Sequence, residues 1–233
     1  MIKIKNNNKG FTLAEVLITL VIIGVIAAMT IPTLINKTNN QDFVGKFKKN
    51  YSVISNAINA AQSENGLLTY WDWSDRASGF ANIENFILPH LQVAENCKNT
   101  TTCTPDYNWK KLNGNDWFNF KTNTSQYKVV LNDGSAVVFY PVPSCTENYK
   151  PCIEIHADTN GSKGPNREGR DIFSYYVYPY TNDIVAGGVR TSYDISSNTW
   201  NLRDKSEIDT DCSTGAGFYC GAKIILEGYK MNY

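Results

Sequence analysis

Apolar residues crowd into one stretch near the N-terminus. Phe11 to Ile35 reads FTLAEVLITLVIIGVIAAMTIPTLI, 25 residues with a single charged side chain, Glu15. A bilayer core about 30 Å thick requires roughly 20 apolar residues in a helix. The pattern therefore predicts a membrane-spanning helix over residues 11–35.

Beyond this run the pattern becomes that of an amphipathic helix. Apolar side chains recur every three or four positions, at Phe43, Phe47, Tyr51, Ile54, Ile58 and Ala61. This spacing is the period of a helix with one buried face, and Gly66 is a typical stop signal. We expect one long helix over residues 11–64, whose second half is covered along this stripe.

The remaining residues, 65–233, mostly lose the helical period. Segments rich in Val and aromatic residues predict strands at 127–131, 135–140, 152–157 and 173–178, and weaker ones at 184–189 and 222–226. The Asn132-Asp133-Gly134 sequence between the first two is a strong hairpin signal.

Other parts of this region predict a short helix and long loops. One helix is expected within 81–91, and the polar stretches 96–126 and 192–217 are expected to be surface loops. Helix first and antiparallel strands later indicate an α+β fold, with the long N-terminal helix packed on a C-terminal sheet.

Charge excludes some classes of function. The 233 residues include 22 basic, 22 acidic and two His residues. A formal charge of zero argues against a nucleic-acid binder with a basic surface, and two His residues exclude a His-rich metal site. Lys3, Lys5 and Lys9 precede the apolar run without any acid. The positive-inside rule thus predicts a cytoplasmic N-terminus and places the rest of the chain across the membrane.

Two ordinary interpretations of the apolar run fit poorly. A secretory signal peptide needs a shorter core and a small-residue cleavage site, and Ala27-Ala28-Met29 is a poor site. A plain anchor leaves Glu15 unexplained. A charge at the centre of a membrane span costs roughly 2.5–3.5 kcal/mol on insertion scales, and less near its end.

The run also carries a specific motif. Lys9 to Pro32, KGFTLAEVLITLVIIGVIAAMTIP, resembles the N-terminal signature of type IV pilins and of the pseudopilins of type II secretion. In that signature a basic leader ends in Gly, followed by a methylated Phe, Thr-Leu, and Glu as the fifth mature residue. The matching residues are Gly10, Phe11, Thr12, Leu13 and Glu15, with Gly24 and Pro32 at two further positions where the family often has the same residues.

The resemblance implies a specific processing. A prepilin peptidase would remove residues 1–10 and methylate the new amine of Phe11, and the apolar run would be retained. Glu15 would neutralise the amine of a neighbouring subunit during assembly, and the alternative is a Glu15 that reaches to the membrane surface. Gly24 and Pro32 weaken the helix, either as a simple kink or as a segment that melts in a filament.

The implied function is mechanical. The chain would be a single-pass inner-membrane subunit of a type IV pilus or type II secretion pseudopilus, with residues 65–233 as an extracytoplasmic head. Its partners would be other pilin subunits, the peptidase and methyltransferase, and an inner-membrane assembly platform. The mature length of 223 residues favours a minor or adorned pilin, and loss of three leader lysines leaves a net charge of −3.

Two alternative functions concern the head. One is an adhesin-like minor pilin that binds a surface or glycan, and the other is a membrane-tethered extracytoplasmic enzyme. The chain has no GxSxG, HExxH or P-loop motif. We therefore expect that it is not an enzyme.

All six cysteines lie in the head. Their spacings do not match the CxxC pattern of structural zinc sites, and disulfides persist outside the cytoplasm. Six cysteines allow 15 connectivities. We expect three bridges between sequence neighbours, Cys97–Cys103, Cys145–Cys152 and Cys212–Cys220. The alternative is that the cysteines are free buried thiols.

One loop carries candidate metal ligands. Asp158, Asn160 and Asp171 can supply oxygen ligands to Ca²⁺, completed by backbone carbonyls. The loop is not an EF-hand, because aligning Gly161 with the EF-hand glycine puts Arg167 where Glu is required. The alternative is a tight connection in which Asp and Asn bond to the local backbone.

Overall fold

The structure, a computed structural model, describes residues 10, 12–146, 150–180, 183–194, 197 and 199–233, with the backbone alone for 192–194. It divides into two compact units, Met1–Asn40 and Gln41–Tyr233. The helix α1 (Leu13–Asn65) contributes to both. It ends before Gly66, whose φ of +81° favours glycine.

The second unit holds the other elements. Its helices are α2 (Arg76–Asn82), α3 (Lys205–Asp211) and α4 (Cys220–Leu226), with 3₁₀ turns at Leu68–Tyr70 and Leu88–His90 and a π turn at Ile83–Ile87. Its strands are β1 (Val93–Lys98), β2 (Asn108–Lys110), β3 (Asp116–Asn119), β4 (Tyr127–Leu131), β5 (Ala136–Pro141), β6 (Ile153–Asp158), β7 (Ile172–Val177), β8 (Ile184–Ala186), β9 (Arg190–Asp194) and β10 (Thr199–Leu202).

Six strands form one antiparallel sheet in the order β1-β4-β5-β6-β7-β8. From β4 to β8 each strand pairs with the next in the chain, whereas β1 lies at the edge beside β4. Two hairpins, β2–β3 and β9–β10, lie apart from this sheet. The predicted α+β fold, with the long helix packed on an antiparallel sheet, is confirmed.

The 41–65 half of α1 covers one face of the sheet. Its buried stripe includes Phe47 and Ile54, in one core cluster with inward-facing residues of β4 to β7. The Phe47 ring meets Phe173 edge to face, with the ring centroids 4.9 Å apart. At the far edge the Tyr51 hydroxyl donates to the Ile184 carbonyl over 2.9 Å. The amphipathic stripe therefore has its partner within the same unit.

The opposite face of the sheet carries a second apolar cluster. Trp109 of β2 and Phe118 of β3 pack there with Ile172, and Trp109 is fully buried. Lys128 of β4 is also fully buried, and its Nζ donates to three backbone carbonyls, those of Thr100, Lys121 and Asn123. One lysine thus satisfies carbonyls of the two long connections around β2 and β3, although burial lowers its pKa.

Some expectations for the second unit were wrong. Residues 222–226 lie in α4 rather than in a strand, because a short apolar run is compatible with either element. The polar stretches contain β2 and β3 in 96–126, and β9, β10 and α3 in 192–217. The helix expected within 81–91 is present, but it begins earlier, at Arg76.

Candidate functional site

The start of α1 is closed by a reciprocal cap. The Glu15 amide donates to Thr12 Oγ1 over 3.2 Å, while the Thr12 amide and hydroxyl donate to Glu15 Oε2 over 2.8 and 2.9 Å. The Thr12 carbonyl accepts the first helical bond, from Val16. This is a capping box, in which the residue before the helix and the third helical residue satisfy each other's amides. Within the single chain, the Glu15 carboxylate therefore caps the start of its own helix.

The apolar run after this cap is uncovered. Its large apolar side chains are all exposed, and the exposed fraction lies between 43% at Val16 and 78% at Leu13. It is also the one stretch, among the described residues, that is long and apolar enough to cross a membrane. The helix continues through Gly24 and Pro32, and apart from the helix's own backbone and the adjacent residues no atom lies within 4 Å of where a Gly24 side chain would begin. Gly10 is exposed, and the other leader residues and Phe11 lie outside the described residues.

The predicted calcium ligands lie on the loop between β6 and β7. Asp158 is the last residue of β6, and Asp171 immediately precedes β7. The amides of Asn166 and Arg167 donate to the two Asp171 oxygens over 2.9 and 2.8 Å. The Asn160 amide donates to Asp158 Oδ1 over 3.1 Å. Both carboxylates therefore organise the loop backbone, as the local interpretation expects.

The Tyr107 side chain also reaches this loop. Its buried hydroxyl interacts with the Asp158 carboxyl as a hydrogen-bond partner, and the Asn160 side chain interacts in the same way with Asp171. Asp158 and Asp171 are both fully buried. Tyr107, just before β2, is a neighbour that the sequence did not indicate. Its contact with this loop follows from how the β2–β3 hairpin packs.

Electrostatics connect these groups. Burial, together with the charge of Asp171, raises the pKa of Asp158 well above its usual range. Burial raises the pKa of Asp171 to about 6, although backbone amides from Arg167 and Asn166 oppose the shift. Burial and the charge of Asp158 also raise the pKa of Tyr107. Burial in this loop thus disfavours the ionised forms of all three groups.

Close approaches hold the same loop between two other segments. Gly161 has a φ of +63°, and a Cβ there would lie 2.4 Å from the Gly134 carbonyl in the β4–β5 turn. Gly169 has a φ of +74°, and a Cβ there would lie 2.7 Å from Cys220 Sγ. Only glycine fits either position without displacing a neighbour. The loop therefore lies between the hairpin turn and the C-terminal disulfide.

A His, Glu and Ser trio lies beside this loop. His156 Nδ1 is 3.0 Å from Glu168 Oε1 and 2.9 Å from Ser174 Oγ. All three are at least nine-tenths buried. In a nucleophile-activating triad the acid and the hydroxyl contact opposite ring nitrogens, whereas here both contact the same one. The arrangement is that of a buried polar network rather than of a catalytic triad.

Three disulfides join sequence neighbours: Cys97–Cys103, Cys145–Cys152 and Cys212–Cys220. No cysteine is free. The first closes the connection after β1, the second connects the segment after β5 to the start of β6, and the third links the ends of α3 and α4. Glu95 and Asp211 lie close enough to two of these bridges to resemble metal clusters. The sulfurs there are already bonded, so no thiolate ligand is left.

Comparison with known proteins divides the chain in the same way as its pattern. Residues 5–31 match the prokaryotic N-terminal methylation motif, the prepilin signature of type IV pilins. Residues 33–233 match a family of unknown function, DUF6613. The chain belongs to this family. No curated protein and no solved structure matches the chain significantly.

The motif gives the DUF6613 chain a broad assignment. It indicates a type IV pilin-like or pseudopilin-like protein, and the long apolar helix fits a membrane-anchored one. The signature implies assembly with other pilin subunits and processing by a prepilin peptidase. Since the family is of unknown function, the match over 33–233 leaves the role of the head open.

Sequence reasoning missed two features of these sites. The Thr12–Glu15 cap was readable, because T-x-x-E before an apolar run is its signature. The cost of a charge in a membrane span and the proposed pairing with an amine both concern Glu15 as a charge and do not predict its capping role. Tyr107 had no comparable signal, because it lies 51 positions from Asp158 in the sequence.

Proposed function

We propose that this chain is a structural subunit of a type IV pilus or a type II secretion pseudopilus, polymerised through its N-terminal helix. The observation that carries the proposal is the methylation motif on an apolar helix whose side chains are uncovered. Exposed apolar surface of this extent requires lipid or protein around it. A filament core formed by the same helix of other subunits supplies it after the chain leaves the membrane.

The proposal includes the processing step. A prepilin peptidase cleaves between Gly10 and Phe11, the new Phe11 amine is methylated, and the basic leader stays in the cytoplasm. The head then lies outside the cytoplasm, which three disulfides support, since such bonds persist in oxidising compartments. The length of the head supports a minor or adorned subunit rather than a minimal one.

Mass spectrometry of the N-terminus tests the processing. In cells that contain the peptidase, the mature chain should begin at N-methyl-Phe11. A mature chain that retains Met1, or one that begins after Ala28, would contradict the proposal. Gly10→Leu should block cleavage and leave the precursor in the membrane, with the head still folded.

Assembly is proposed to use the charge of Glu15. In the filament the carboxylate neutralises the amine of a neighbouring Phe11, because two charges desolvated together in an apolar core cost less than either charge alone. In the single chain the same carboxylate caps Thr12. Loss of assembly after Glu15→Ala alone would therefore have two explanations, the missing charge and the missing cap.

Two further variants separate these explanations. Glu15→Gln removes the charge but keeps a side-chain oxygen that can complete the capping box, and Thr12→Ala weakens the cap but keeps the charge. We expect Glu15→Ala and Glu15→Gln to insert into the membrane normally and to be lost from sheared filaments. Thr12→Ala should be incorporated. Normal incorporation of Glu15→Gln would contradict the charge role and leave capping as the function of Glu15.

A further inference from the structure

An exposed tyrosine stands on a fixed turn at the end of α1. Tyr70 is 82% exposed, the highest value among the large apolar side chains that the structure describes in the second unit. The turn around it, residues 66–71, is held by two buried neighbours, Leu68 and Trp71. The Trp71 indole also donates to the Gly66 carbonyl over 2.9 Å. A tyrosine presented in this way loses little conformational freedom on binding, and tyrosine is enriched among the residues that dominate interfaces.

A groove in the same unit can receive such a side chain. It lies between the second half of α1 and the C-terminal end of α4, and we call it the α1–α4 groove. Its volume is about 330 Å³, at the lower end of the range for binding pockets. Aromatic rings, which pack favourably against another ring, form much of its lining: Phe47, Lys48, Tyr51, Ile225 and Tyr229.

The open side of this groove is apolar and cationic. Tyr229 is 44% exposed and Leu226 is 62% exposed. Tyr229 has a φ of +62°, which is unusual for a bulky residue, and its ring lies 4.0 Å from Lys48 Nζ. Glu227, the acid that follows Leu226, pairs with Lys223 over 2.9 Å. The exposed Lys48 therefore sets the charge at the groove.

The two surfaces carry opposite charge. Glu64 and Asp72 are exposed beside the Tyr70 turn, whereas Lys48 and Lys230 are exposed beside the groove. Glu64 lies in the last turn of α1, where the helix dipole favours a cation rather than an acid. His90 Nε2 is 3.5 Å from Glu64, but the Glu64 side chain stays 67% exposed. A cationic partner from outside the chain would offset this unfavourable position.

The turn and the groove lie too far apart to meet within one chain. Lys48 and Asn65 are 17 positions apart in one helix, which corresponds to about 25 Å at 1.5 Å per residue. A projecting side chain that fits a pocket elsewhere on an identical molecule makes a head-to-tail contact, and such contacts continue from copy to copy.

We propose that Tyr70 of one copy enters the α1–α4 groove of a second copy. The acids beside Tyr70 then face the lysines beside the groove. This inference rests on the proposed filament function, which brings identical heads together. It adds a direct contact between heads to the packing of the N-terminal helices, and this contact fixes the position of each head against the next.

Incorporation of variants into sheared filaments tests the contact. Tyr70→Ala should lower the fraction of the chain recovered in filaments at least about tenfold, because one aromatic anchor commonly dominates an interface. Membrane insertion and thermal unfolding of the head should not change, since the side chain is exposed. Leu202→Ala is the matched control, because Leu202 is 71% exposed and belongs to neither surface, and it should be incorporated normally. Normal incorporation of Tyr70→Ala would overturn the proposal.

Charge reversal tests the pairing of the two surfaces. Lys48→Glu and Glu64→Lys should each lower incorporation severalfold. The double variant should recover it, because every copy then carries both reversed charges and opposite signs meet again. Lys163→Glu, at an exposed position in the β6–β7 loop, controls for the change in net charge and should be incorporated normally. Two defective single variants without recovery in the double variant would refute the pairing.

Photo-cross-linking distinguishes failure of the contact from failure of the filament function. With p-benzoylphenylalanine in place of Tyr70 in the full chain, irradiation of cells should link position 70 to residues 47–51 or 225–230 of a second copy, as mapped by mass spectrometry. If filaments form but position 70 is linked to another segment or another protein, the contact is overturned and the filament function stands. If the wild type forms no filaments, that function fails, and the chain purified in detergent decides the contact. A concentration-dependent cross-link to the same residues would then support it, and its absence would overturn it.

Discussion

The two halves of α1 belong to one helix but differ in what covers them. Over residues 13–40 the large apolar side chains, Leu13 to Ile35, are exposed, whereas over 41–65 Phe47 and Ile54 are at most 1% exposed. Residues 13–35 of the first half are apolar on every side of the helix, whereas the second half is apolar only along one stripe. A stripe can be buried by one sheet of the same chain, but an all-round apolar surface needs partners on every side. The hydrophobic pattern therefore decides whether a helix finds its partner inside or outside its own chain.

The largest effect on stability is expected when two isoleucines, one from each half of the helix, are compared. Ile58 is fully buried and Ile22 is 53% exposed. Ile58→Ala should lower the free energy of unfolding of the head by about 2–5 kcal/mol, because it removes buried methyl groups and leaves a cavity. Ile22→Ala should leave the unfolding transition of the head unchanged. Urea or thermal unfolding of the full chain in detergent measures both, and equal losses would show that the halves are not distinct.

The sequence predicted those elements of the fold that have a local pattern, and it did not predict those that depend on contacts between distant segments. Local patterns were sufficient for α1, for the hairpin at Asn132-Asp133-Gly134 and for strands β4 to β7, because each has a clear period or turn signal. The edge strand β1 was missed. It has the sequence VAENCK, whose polar residues face solvent, and its pairing with β4 bridges about 30 intervening positions. Such pairing is decided by tertiary packing rather than by the local sequence.

The candidate sites divide in a similar way. The residues of the N-terminal motif lie next to one another, so the sequence alone indicated Gly10, Phe11 and Glu15. Asp158 and Asp171 could be named because the ends of one loop are near in sequence. The contact of Tyr107 with them, and the close packing of Gly169 on Cys220, depend on how separate segments meet. No pattern within either segment encodes that meeting.

A smaller effect is expected from two helical glycines. Gly79 in α2 lies where a Cβ would be 2.4 Å from the Pro141 Cβ, whereas the corresponding point at Gly24 has no atom within 4 Å other than those of the helix's own backbone and adjacent residues. Gly79→Ala should destabilise the head by about 1–3 kcal/mol through overpacking. Gly24→Ala should not, since alanine favours a helix by about 1 kcal/mol over glycine.

The same unfolding measurement compares these glycine variants, and filament incorporation adds a second readout. If Gly24→Ala leaves the head stable but is excluded from filaments, the empty space beside Gly24 is used by another subunit. Destabilisation of the head by Gly24→Ala would instead contradict the separation of the two halves.

The smallest effect is expected from charge. Lys49 of the second half pairs with Asp133 in the β4–β5 turn at 2.6 Å, whereas Lys37 of the first half forms no ion pair among the described residues. Partly exposed pairs contribute about 0.2–1 kcal/mol. Lys49→Ala should therefore lower stability slightly and Lys37→Ala should not.

The contribution of the Lys49–Asp133 pair to stability should depend on pH, and the pKa of Asp133 sets the direction of that dependence. Burial raises the pKa of Asp133, but hydrogen bonds from Lys49 and Ser135 outweigh burial, so its pKa is lowered. A carboxyl with a lowered pKa stabilises the folded state above its ordinary pKa of about 3.8 and loses that contribution as the pH falls below it. The difference in unfolding free energy between wild type and Lys49→Ala should accordingly be present at pH 7 and shrink towards pH 3. High salt should shrink it as well, because both side chains are partly exposed. A difference that is the same at pH 3 as at pH 7 would mean that Lys49 acts through the packing of its aliphatic stem and not through its charge.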